Sequence, residues 1–210
     1  MAPKRPISET STSTKRQKLV LPWERIPGTI PDTLRGTIMS MVMLLLSNGV
    51  LQSRAFKMFG KTCKQPRKSC TMGANYKYSG IVQSSERIPD EMHDLLERLG
   101  EIADVDYSNL INRVAIVVNY YAGGEDNIGW HADDEPCIDQ SYPIVSVSFG
   151  ATRDFKIRKK ADHKEVYKLP LADCDVLVMQ PGMQGGYQHS LPKRAKVDCP
   201  RINITVRIVK

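Results

Sequence analysis

The stretch Arg201-Ile202-Asn203-Ile204-Thr205-Val206-Arg207-Ile208 alternates strictly between polar and apolar side chains. Because successive side chains of a β-strand point to opposite faces, this pattern predicts a strand with one apolar and one polar face. The apolar face would pack against a covering layer. The polar face carries two guanidinium groups, an amide and a hydroxyl, and Arg binds carboxylates through paired hydrogen bonds. We therefore expect the polar face to line a cavity for a ligand with two carboxylates.

Two upstream segments carry residues suited to binding a metal, namely His131-Ala132-Asp133 and His189. His131 and Asp133 would point the same way from an extended chain, and a barrel would bring His189 back to them. Two imidazoles and one carboxylate form the facial set that holds Fe(II) and leaves positions open for a co-substrate and O2. Zinc is the alternative metal, although a dicarboxylate pocket has no obvious purpose beside it. Fe(II) next to a dicarboxylate suggests 2-oxoglutarate.

From residue 113 onward, short apolar runs are separated by Gly, Pro and Asp, which predicts a series of strands. The predicted strands are 114–121, 143–150, 154–158, 166–169, 176–180 and 202–209. Several short strands without intervening helices indicate a sandwich or jelly roll. Before them, the patterns predict helices at 32–47 and 89–100 and a short strand at 50–56.

The positive charge of the chain is local. Residues 1–18 carry a net charge of +4 and residues 54–68 a net charge of +6, against +7 for the whole sequence. The remaining residues are therefore slightly acidic, which favours a surface that faces a polyanion over a generally basic protein. The alternative is a solubilising tail together with a solvated loop.

Other features of the composition indicate where the protein works. The five cysteines are odd in number and lack the Cys-x-x-Cys spacing, which favours a reduced, intracellular protein. No apolar run approaches the ~20 residues that span a membrane. The clusters Lys4-Arg5 and Lys15-Arg16-Gln17-Lys18 are similar to a bipartite nuclear-import signal, so we expect a nuclear location. Nothing in the sequence requires an oligomer, and we expect a monomer.

Six segments carry motifs in a fixed order. They are Asn119-Tyr120-Tyr121, Asn127-Ile128-Gly129-Trp130-His131-Ala132-Asp133-Asp134-Glu135, Ser146-Val147-Ser148-Phe149-Gly150, Arg153-Asp154-Phe155, His189-Ser190-Leu191-Pro192 and the strand at 201–207. Together they resemble the AlkB family of Fe(II)/2-oxoglutarate-dependent dioxygenases, and within it the homologue-two branch. The resemblance runs from about residue 56 to the C-terminus.

The resemblance implies a mainly β (α+β) fold. This is a double-stranded β-helix, or jelly roll, with two flanking helices and an N-terminal nucleotide-recognition lid. We expect a disordered basic tail at 1–18 and one folded domain at 19–210. Within that domain, residues 19–112 would supply the helical support, a finger hairpin and the lid. Residues 113–210 would form the catalytic core.

The same resemblance assigns the cofactor sites. His131, Asp133 and His189 would bind the iron. Arg201 would hold the distal carboxylate of 2-oxoglutarate, and Arg207 would lie near the carboxylate that chelates the iron. The remaining hydrogen bonds would come from Asn119, Tyr121, Asn203 and Thr205. The alternative for the two arginines is ordinary salt bridging at a strand edge, although burying such a face without an anionic ligand would be costly.

The segment 66–80 is similar to the nucleotide-recognition lid of AlkB homologues two and three. In the lid, Tyr76 would contact the substrate, and Tyr78 would stack on a flipped base opposite His131. Arg67 and Lys68 would contact backbone phosphate.

Two acidic residues beyond Asp133 are expected near the substrate. A carboxylate at Glu135 would favour a cationic base such as 1-methyladenine or 3-methylcytosine by direct attraction, with Asp134 as a further contact. The alternative is a solvated acidic loop.

The segment Met58-Phe59-Gly60-Lys61 is similar to the finger with which AlkB homologue two inserts an aromatic ring into a duplex. An apolar wedge there offsets the few kcal/mol lost when a base pair is opened. Duplex DNA would then be a substrate. The alternative is that Phe59 packs under its own loop.

The implied activity is oxidative demethylation of N-alkylated bases with release of formaldehyde. Three alternatives stay open at this point. The same chemistry could act on RNA or single-stranded DNA, the chain could be a non-catalytic nucleic-acid-binding module, or it could hydroxylate a protein. The lid and the basic segment argue against the last alternative.

Overall fold

Two antiparallel β-sheets face each other, and two long helices cover the outer side of the larger sheet. The computed structural model describes residues 21–58, 61–78, 81–83 and 85–210, with backbone only at 56–58, 61–63, 76–78 and 81–83. The predicted tail at 1–18 and the finger residues Phe59 and Gly60 lie outside the described residues.

The elements follow one another along the chain as strands with few helices between them. They are β1 (Trp23–Ile26), α1 (Asp32–Ser47), β2 (Ala55–Met58), β3 (Lys61–Lys64), β4 (Lys68–Gly73), β5 (Tyr76–Tyr78), β6 (Ile81–Gln83), α2 (Glu91–Ala103), a 3-10 turn (Ile111–Arg113), β7 (Val114–Tyr121), β8 (Ile128–His131), β9 (Ile144–Gly150), β10 (Arg153–Lys159), β11 (Val166–Leu171), β12 (Val176–Met179), α3 (Met183–Gly186), β13 (Tyr187–Leu191) and β14 (Arg201–Ile208).

The larger sheet has the order β1-β12-β9-β14-β7-β4, and the smaller sheet has the order β11-β10-β13-β8. The non-sequential neighbours and the two facing sheets are those of a jelly roll, which confirms the predicted fold class. Strand β14 lies inside the larger sheet, because it pairs with β7 on one side and with β9 on the other.

The apolar face of β14 packs where the alternation predicted. Ile202, Ile204, Val206 and Ile208 are at most 1% exposed, and they share one hydrophobic cluster with residues of both α1 and α2. Burying side chains of this size stabilises a fold by about 1.5–3 kcal/mol each. The two helices are therefore the covering layer of this strand, and the opposite, polar face of β14 turns toward the smaller sheet.

The N-terminal half contributes more to the sheets than expected. Both β1 and β4 belong to the six-stranded sheet, and within β4 the side chains of Cys70 and Met72 are only 2% and 1% exposed. Part of the segment predicted as a lid is thus an edge strand of the core. The boundary at 112/113 consequently falls inside one structural unit.

The predicted strand at 50–56 is wrong for its first half. The backbone N–H groups of Val50 and Leu51 both donate to Leu45 O, at 2.9 and 3.2 Å, and so finish the end of α1. Gly49 has a φ of 72°, which reverses the chain there. Strand β2 begins only at Ala55, and its pairing with β3 makes the hairpin that was predicted around the finger.

The second helix extends beyond its predicted end. The prediction ended this helix at residue 100, but α2 continues to Ala103, and Asp104 in a left-handed conformation follows it. A Cβ at Gly100 would lie 2.4 Å from Val105 O, so glycine is required there by close backbone approach. Over the described ranges, no helix is both long and apolar enough to cross a membrane.

Candidate active site

The three predicted metal ligands come together between the two sheets. His131 ends β8, and His189 lies opposite it in the neighbouring strand β13. Asp133 follows β8 by two residues. One ligand atom from each of the three side chains lies within 4.8 Å of the others. Segments more than fifty residues apart in sequence therefore share one site.

Asp133 is buried and is held from several directions. Arg207 donates from Nε and Nη2 to Asp133 Oδ2, at 3.1 and 2.7 Å. The Asp133 N–H donates to Gln184 Oε1, and Gln140 Nε2 donates to the Asp133 carbonyl. The other carboxylate oxygen, Oδ1, accepts no hydrogen bond from the described residues. Oδ1 lies 3.9 Å from His131 Nε2, so it is the oxygen available to a metal.

The two imidazoles pack against each other and are neutral. Their ring centroids are 4.2 Å apart, and the ring of Phe155 stacks on His189 at 5.3 Å. His131 Nδ1 lies 2.9 Å from Gly129 O, which places the ring proton on Nδ1 and leaves the Nε2 lone pair free. Burial lowers the pKa of His189 to about 3 and also lowers the pKa of His131. Neutral imidazole is the form that binds a metal.

The carboxylate of Asp133 is ionised. Burial alone would raise its pKa, but the charge of Arg207 outweighs burial and holds the pKa below its usual range, and the two histidines add to this only in acid, once they are protonated. Two neutral nitrogens and one anionic oxygen fit Fe(II) with open positions. A buried carboxylate oxygen without a donor is also an atom that a cation would satisfy. Because zinc accepts the same ligands, the choice of metal depends on the rest of the pocket.

The polar face of β14 forms the wall beside the metal ligands. The predicted cofactor residues that line this pocket are Arg201, Asn203, Thr205 and Arg207, together with Asn119 and Tyr121 of β7. Thr205 Oγ1 donates to Asn203 Oδ1 at 3.1 Å, and Asn203 Nδ2 donates to Ser146 Oγ at 2.7 Å. These bonds fix the amide and the hydroxyl in place before any ligand binds.

Arg201 is a buried cation without a carboxylate partner among the described residues. Its Nη2 donates to Ser148 Oγ at 2.9 Å, and its guanidinium lies 5.4 Å from the centre of the Tyr121 ring. Its Nε has no hydrogen-bond partner in the described structure. Burial lowers the pKa of Arg201 to about 10, so it keeps its charge near pH 7. Such a group calls for an anionic ligand, because an unpaired buried charge is costly.

A third wall of the pocket was only partly foreseen. Gln65, Arg67 and Ser69 line it from the start of β4, whereas only Arg67 was singled out from the sequence. Arg67 was expected to contact backbone phosphate, but it is 9% exposed and its Nε donates to Asn119 Oδ1 at 2.8 Å. This placement does not fit a phosphate contact at the outer surface. The alternation at 65, 67 and 69 was the available signal, and Pro66 and the basic residues obscured it.

Of the other predicted substrate residues, Lys68, Asp134 and Glu135 are not among the described residues that line this pocket. Lys68 is exposed. Asp134 is also exposed and forms an ion pair with Lys160 at 2.9 Å, whereas Glu135 is half-buried. For Tyr76 and Tyr78 the structure describes the backbone of β5 only. The substrate contacts of all these residues stay predictions.

The comparison with protein families agrees with this geometry. The model of the 2OG-Fe(II) oxygenase superfamily matches residues 35–207, so the chain belongs to that superfamily. The cofactors expected from the sequence, Fe(II), 2-oxoglutarate and O2, are those of the family. This settles the choice between iron and zinc in favour of iron.

Within the superfamily, the chain is similar to AlkB proteins, which confirms the resemblance. It is 33% identical over 177 residues to the DNA oxidative demethylase ALKBH2 of Arabidopsis thaliana, covering 73% of this chain and 56% of that protein. It is 37% identical over 161 residues to the DNA oxidative demethylase ALKBH2 of Homo sapiens, covering 72% and 59%. The chain thus spans somewhat more than half the length of these two relatives.

A solved structure, that of OsALKBH1, has the same fold. The two superimpose with a TM-score of 0.61 at 18% identity, over 91% of this chain and all of the other. At this level of identity the likeness concerns the fold alone.

Proposed function

We propose that this chain is an Fe(II)/2-oxoglutarate-dependent demethylase that removes N-methyl groups from DNA bases such as 1-methyladenine and 3-methylcytosine. One observation carries the proposal: the His131, Asp133 and His189 cluster opens into a pocket that also holds a buried arginine without an anionic partner. The similar ALKBH2 proteins are described as DNA oxidative demethylases.

The cofactor half of the site follows from its charges. Three arginines and one carboxylate are the charged residues that line the pocket, and with neutral imidazoles this leaves an excess of two positive charges. Bound Fe(II) would add to this positive charge, and a dicarboxylate such as 2-oxoglutarate would neutralise part of it through the arginines and the metal. We assign Arg201 to its distal carboxylate. Arg207 already holds Asp133 Oδ2, so it orients the iron ligand and lies close to the chelating end of the co-substrate.

The hydrogen-bonding residues complete the cofactor half. Asn203 and Thr205 are fixed to each other and to Ser146, and Asn119 is fixed by Arg67. A pocket whose polar groups are already oriented loses little entropy when the ligand binds. We assign Asn119, Tyr121, Asn203 and Thr205 to the remaining contacts with 2-oxoglutarate.

The base would enter from the side of β4. There, Gln65, Arg67 and Ser69 form a polar wall that approaches the metal ligands. Tyr76 and Tyr78, in the hairpin that follows β4, would contact and stack on the flipped base. Asp134 and Glu135 follow Asp133 directly, and a carboxylate there favours a cationic methylated base over its neutral parent.

When bound, iron, 2-oxoglutarate and O2 would supply the oxidising chemistry: 2-oxoglutarate and O2 would be consumed to succinate and CO2, and the oxidised N-methyl group would leave as formaldehyde. The protein binds the co-substrate and orients the residues that would hold the iron. Arg207 holds the Asp133 carboxylate by two hydrogen bonds, and Phe155 stacks on His189. Placement of the methyl group next to the open metal positions is what the residues of this chain contribute.

We further propose duplex DNA as the preferred form of the substrate and the nucleus as the site of action. The support is the β2–β3 hairpin, because Phe59 and Gly60 stand between its two strands in the sequence, with Lys57 and Lys61 close by in the chain. Single-stranded DNA and RNA are the alternatives that the experiment separates. The basic clusters at Lys4-Arg5 and Lys15–Lys18 support nuclear import.

The test is mass spectrometry of matched single- and double-stranded DNA and RNA oligonucleotides that carry 1-methyladenine or 3-methylcytosine. Each is incubated with the protein, Fe(II), 2-oxoglutarate and air, beside an Asp133→Ala control. We expect loss of the methyl group with the wild type alone, and faster loss from duplex DNA. Binding of every oligonucleotide without turnover would contradict the proposal and favour the non-catalytic module.

A further inference from the structure

Arg153, at the start of β10, is a buried arginine that the chemistry described so far does not use. It is 1% exposed. Its guanidinium donates to Gly123 O, Asp126 O and Pro192 O, at 2.9, 2.8 and 2.8 Å, and lies 3.4 Å from Gly124 O. No carboxylate of the described residues forms an ion pair with it. The charges of Asp126 and Asp154 lie close enough to favour the charged form of Arg153, but its hydrogen bonds all go to backbone carbonyls, which is unusual for a buried guanidinium.

The carbonyls that Arg153 holds belong to two separate loops. Gly123, Gly124 and Asp126 lie just before β8, and Pro192 directly follows β13. These two strands carry the metal ligands His131 and His189. Asp126 lies five residues before His131, and Pro192 lies three residues after His189. Arg153 thus joins the entry to one ligand strand with the exit from the other.

The strand pair itself is weakly specified at this point. Strands β13 and β8 pair at His189 with His131 and at Leu191 with Ile128, and the register shifts between these two pairs. An interrupted ladder fixes the relative position of two strands less firmly than a regular one. The distance between the two imidazoles therefore depends on additional contacts outside the ladder.

The two loops fit together too closely to move independently. Gly124 N donates to Val197 O at 2.6 Å, and Arg194 N donates to Gly124 O at 2.8 Å. A Cβ at Gly124 would lie 1.8 Å from Arg194 O, so only glycine permits this approach. Arg153 fills the space that these loops enclose and satisfies carbonyls of both.

We infer that Arg153 is a positioning residue for the metal site, which sets the spacing of His131 and His189 by tying the loops that flank their strands. Strand β10 contacts the metal site through a second residue, because Phe155, two residues after Arg153, stacks on His189. Only a guanidinium can bind the carbonyls of both loops at once, because its five donors lie in one planar fork. A lysine ammonium would reach fewer of the carbonyls at once.

This inference rests on the metal assignment and not on the identity of the nucleic acid. The test is titration of the metal-free protein with Co(II), followed by its visible absorption, below the onset of unfolding of each variant. The variants are Arg153→Lys and Arg153→Met. The matched control is Arg98→Lys, which removes another loop anchor, the bond from Arg98 Nε to Thr29 O at 3.1 Å, on the far side of the larger sheet.

We expect Co(II) affinity to fall at least tenfold in Arg153→Lys and further in Arg153→Met, as is typical when the support of a metal ligand is lost. Arg98→Lys should bind Co(II) as the wild type does. Wild-type affinity in Arg153→Lys would overturn the proposal, as would failure of Arg153→Lys to fold, because Arg153 would then serve stability alone. Wild-type Co(II) binding that survives His189→Ala would overturn the metal assignment itself.

Discussion

The strongest quantitative prediction concerns the stability of the metal-free protein in mild acid. Burial holds the pKa of His189 at about 3, whereas a histidine in the unfolded chain has a pKa of about 6.5. Between these two values the unfolded state binds a proton that the folded state does not. The free energy of unfolding therefore rises with pH across this window and falls as the solution is acidified.

The magnitude follows from the difference between the pH and the unfolded pKa. At pH 7.5 the solution is above the unfolded pKa of histidine, whereas at pH 5.0 it is about 1.5 units below that pKa. Each unit corresponds to about 1.4 kcal/mol of folding free energy. The buried imidazole of His189 should therefore lower the free energy of unfolding by about 2 kcal/mol at pH 5.0. The lowered pKa of His131 acts in the same direction. The carboxylate of Asp133 adds nothing in this range, because its pKa lies well below it.

The assay is urea unfolding in the presence of a chelator at both pH values, for the wild type and for His189→Leu. The variant removes the titrating ring and keeps an apolar side chain beside Phe155. We expect the loss of stability on acidification to be about 2 kcal/mol smaller in the variant than in the wild type. Equal losses in the two proteins would show that the buried neutral imidazole is not the cause.

Three further predictions address the pocket, the finger and the helix. Arg201→Met should raise the KM for 2-oxoglutarate roughly tenfold to hundredfold, because the charge-assisted pair that it removes is worth about 1.5–3 kcal/mol. An unchanged KM would refute the assignment. Phe59→Ala should slow demethylation of duplex DNA more than of single strands, and equal slowing would exclude the finger. Gly100→Ala should lower the free energy of unfolding by roughly 1–3 kcal/mol. Gly36→Ala should not lower it, because there is open space around Gly36.

The parts of the fold that sequence predicts best are those with a strict local period. Residues 201–208 alternate without a break, and the strand has these bounds in the structure. The first helix likewise begins and ends at the predicted residues, 32 and 47. In both cases the signal is carried by neighbouring residues, so no knowledge of the tertiary structure is needed.

The features that escaped prediction depend on partners far away in sequence. Strands β8 and β13 are short, and Gly129 and the register shift interrupt their patterns. Arginine is usually an exposed residue type, yet Arg67 is buried, and Asn119, 52 residues later, accepts its hydrogen bond. The predicted helix ended at residue 100, whereas in the structure Gly100 lies inside α2 and lets the backbone of Val105 approach. Only the tertiary structure brings such pairs together.

The position of β14 also has a consequence for biosynthesis. This strand is made after all the other described strands, yet it completes the middle of the larger sheet between β7 and β9. Until residues 201–208 have left the ribosome, both neighbouring strands expose unpaired edges, which invite pairing with other chains. Folding must therefore await the end of translation of this region, and a nascent chain stalled before residue 201 should depend on chaperones to stay soluble.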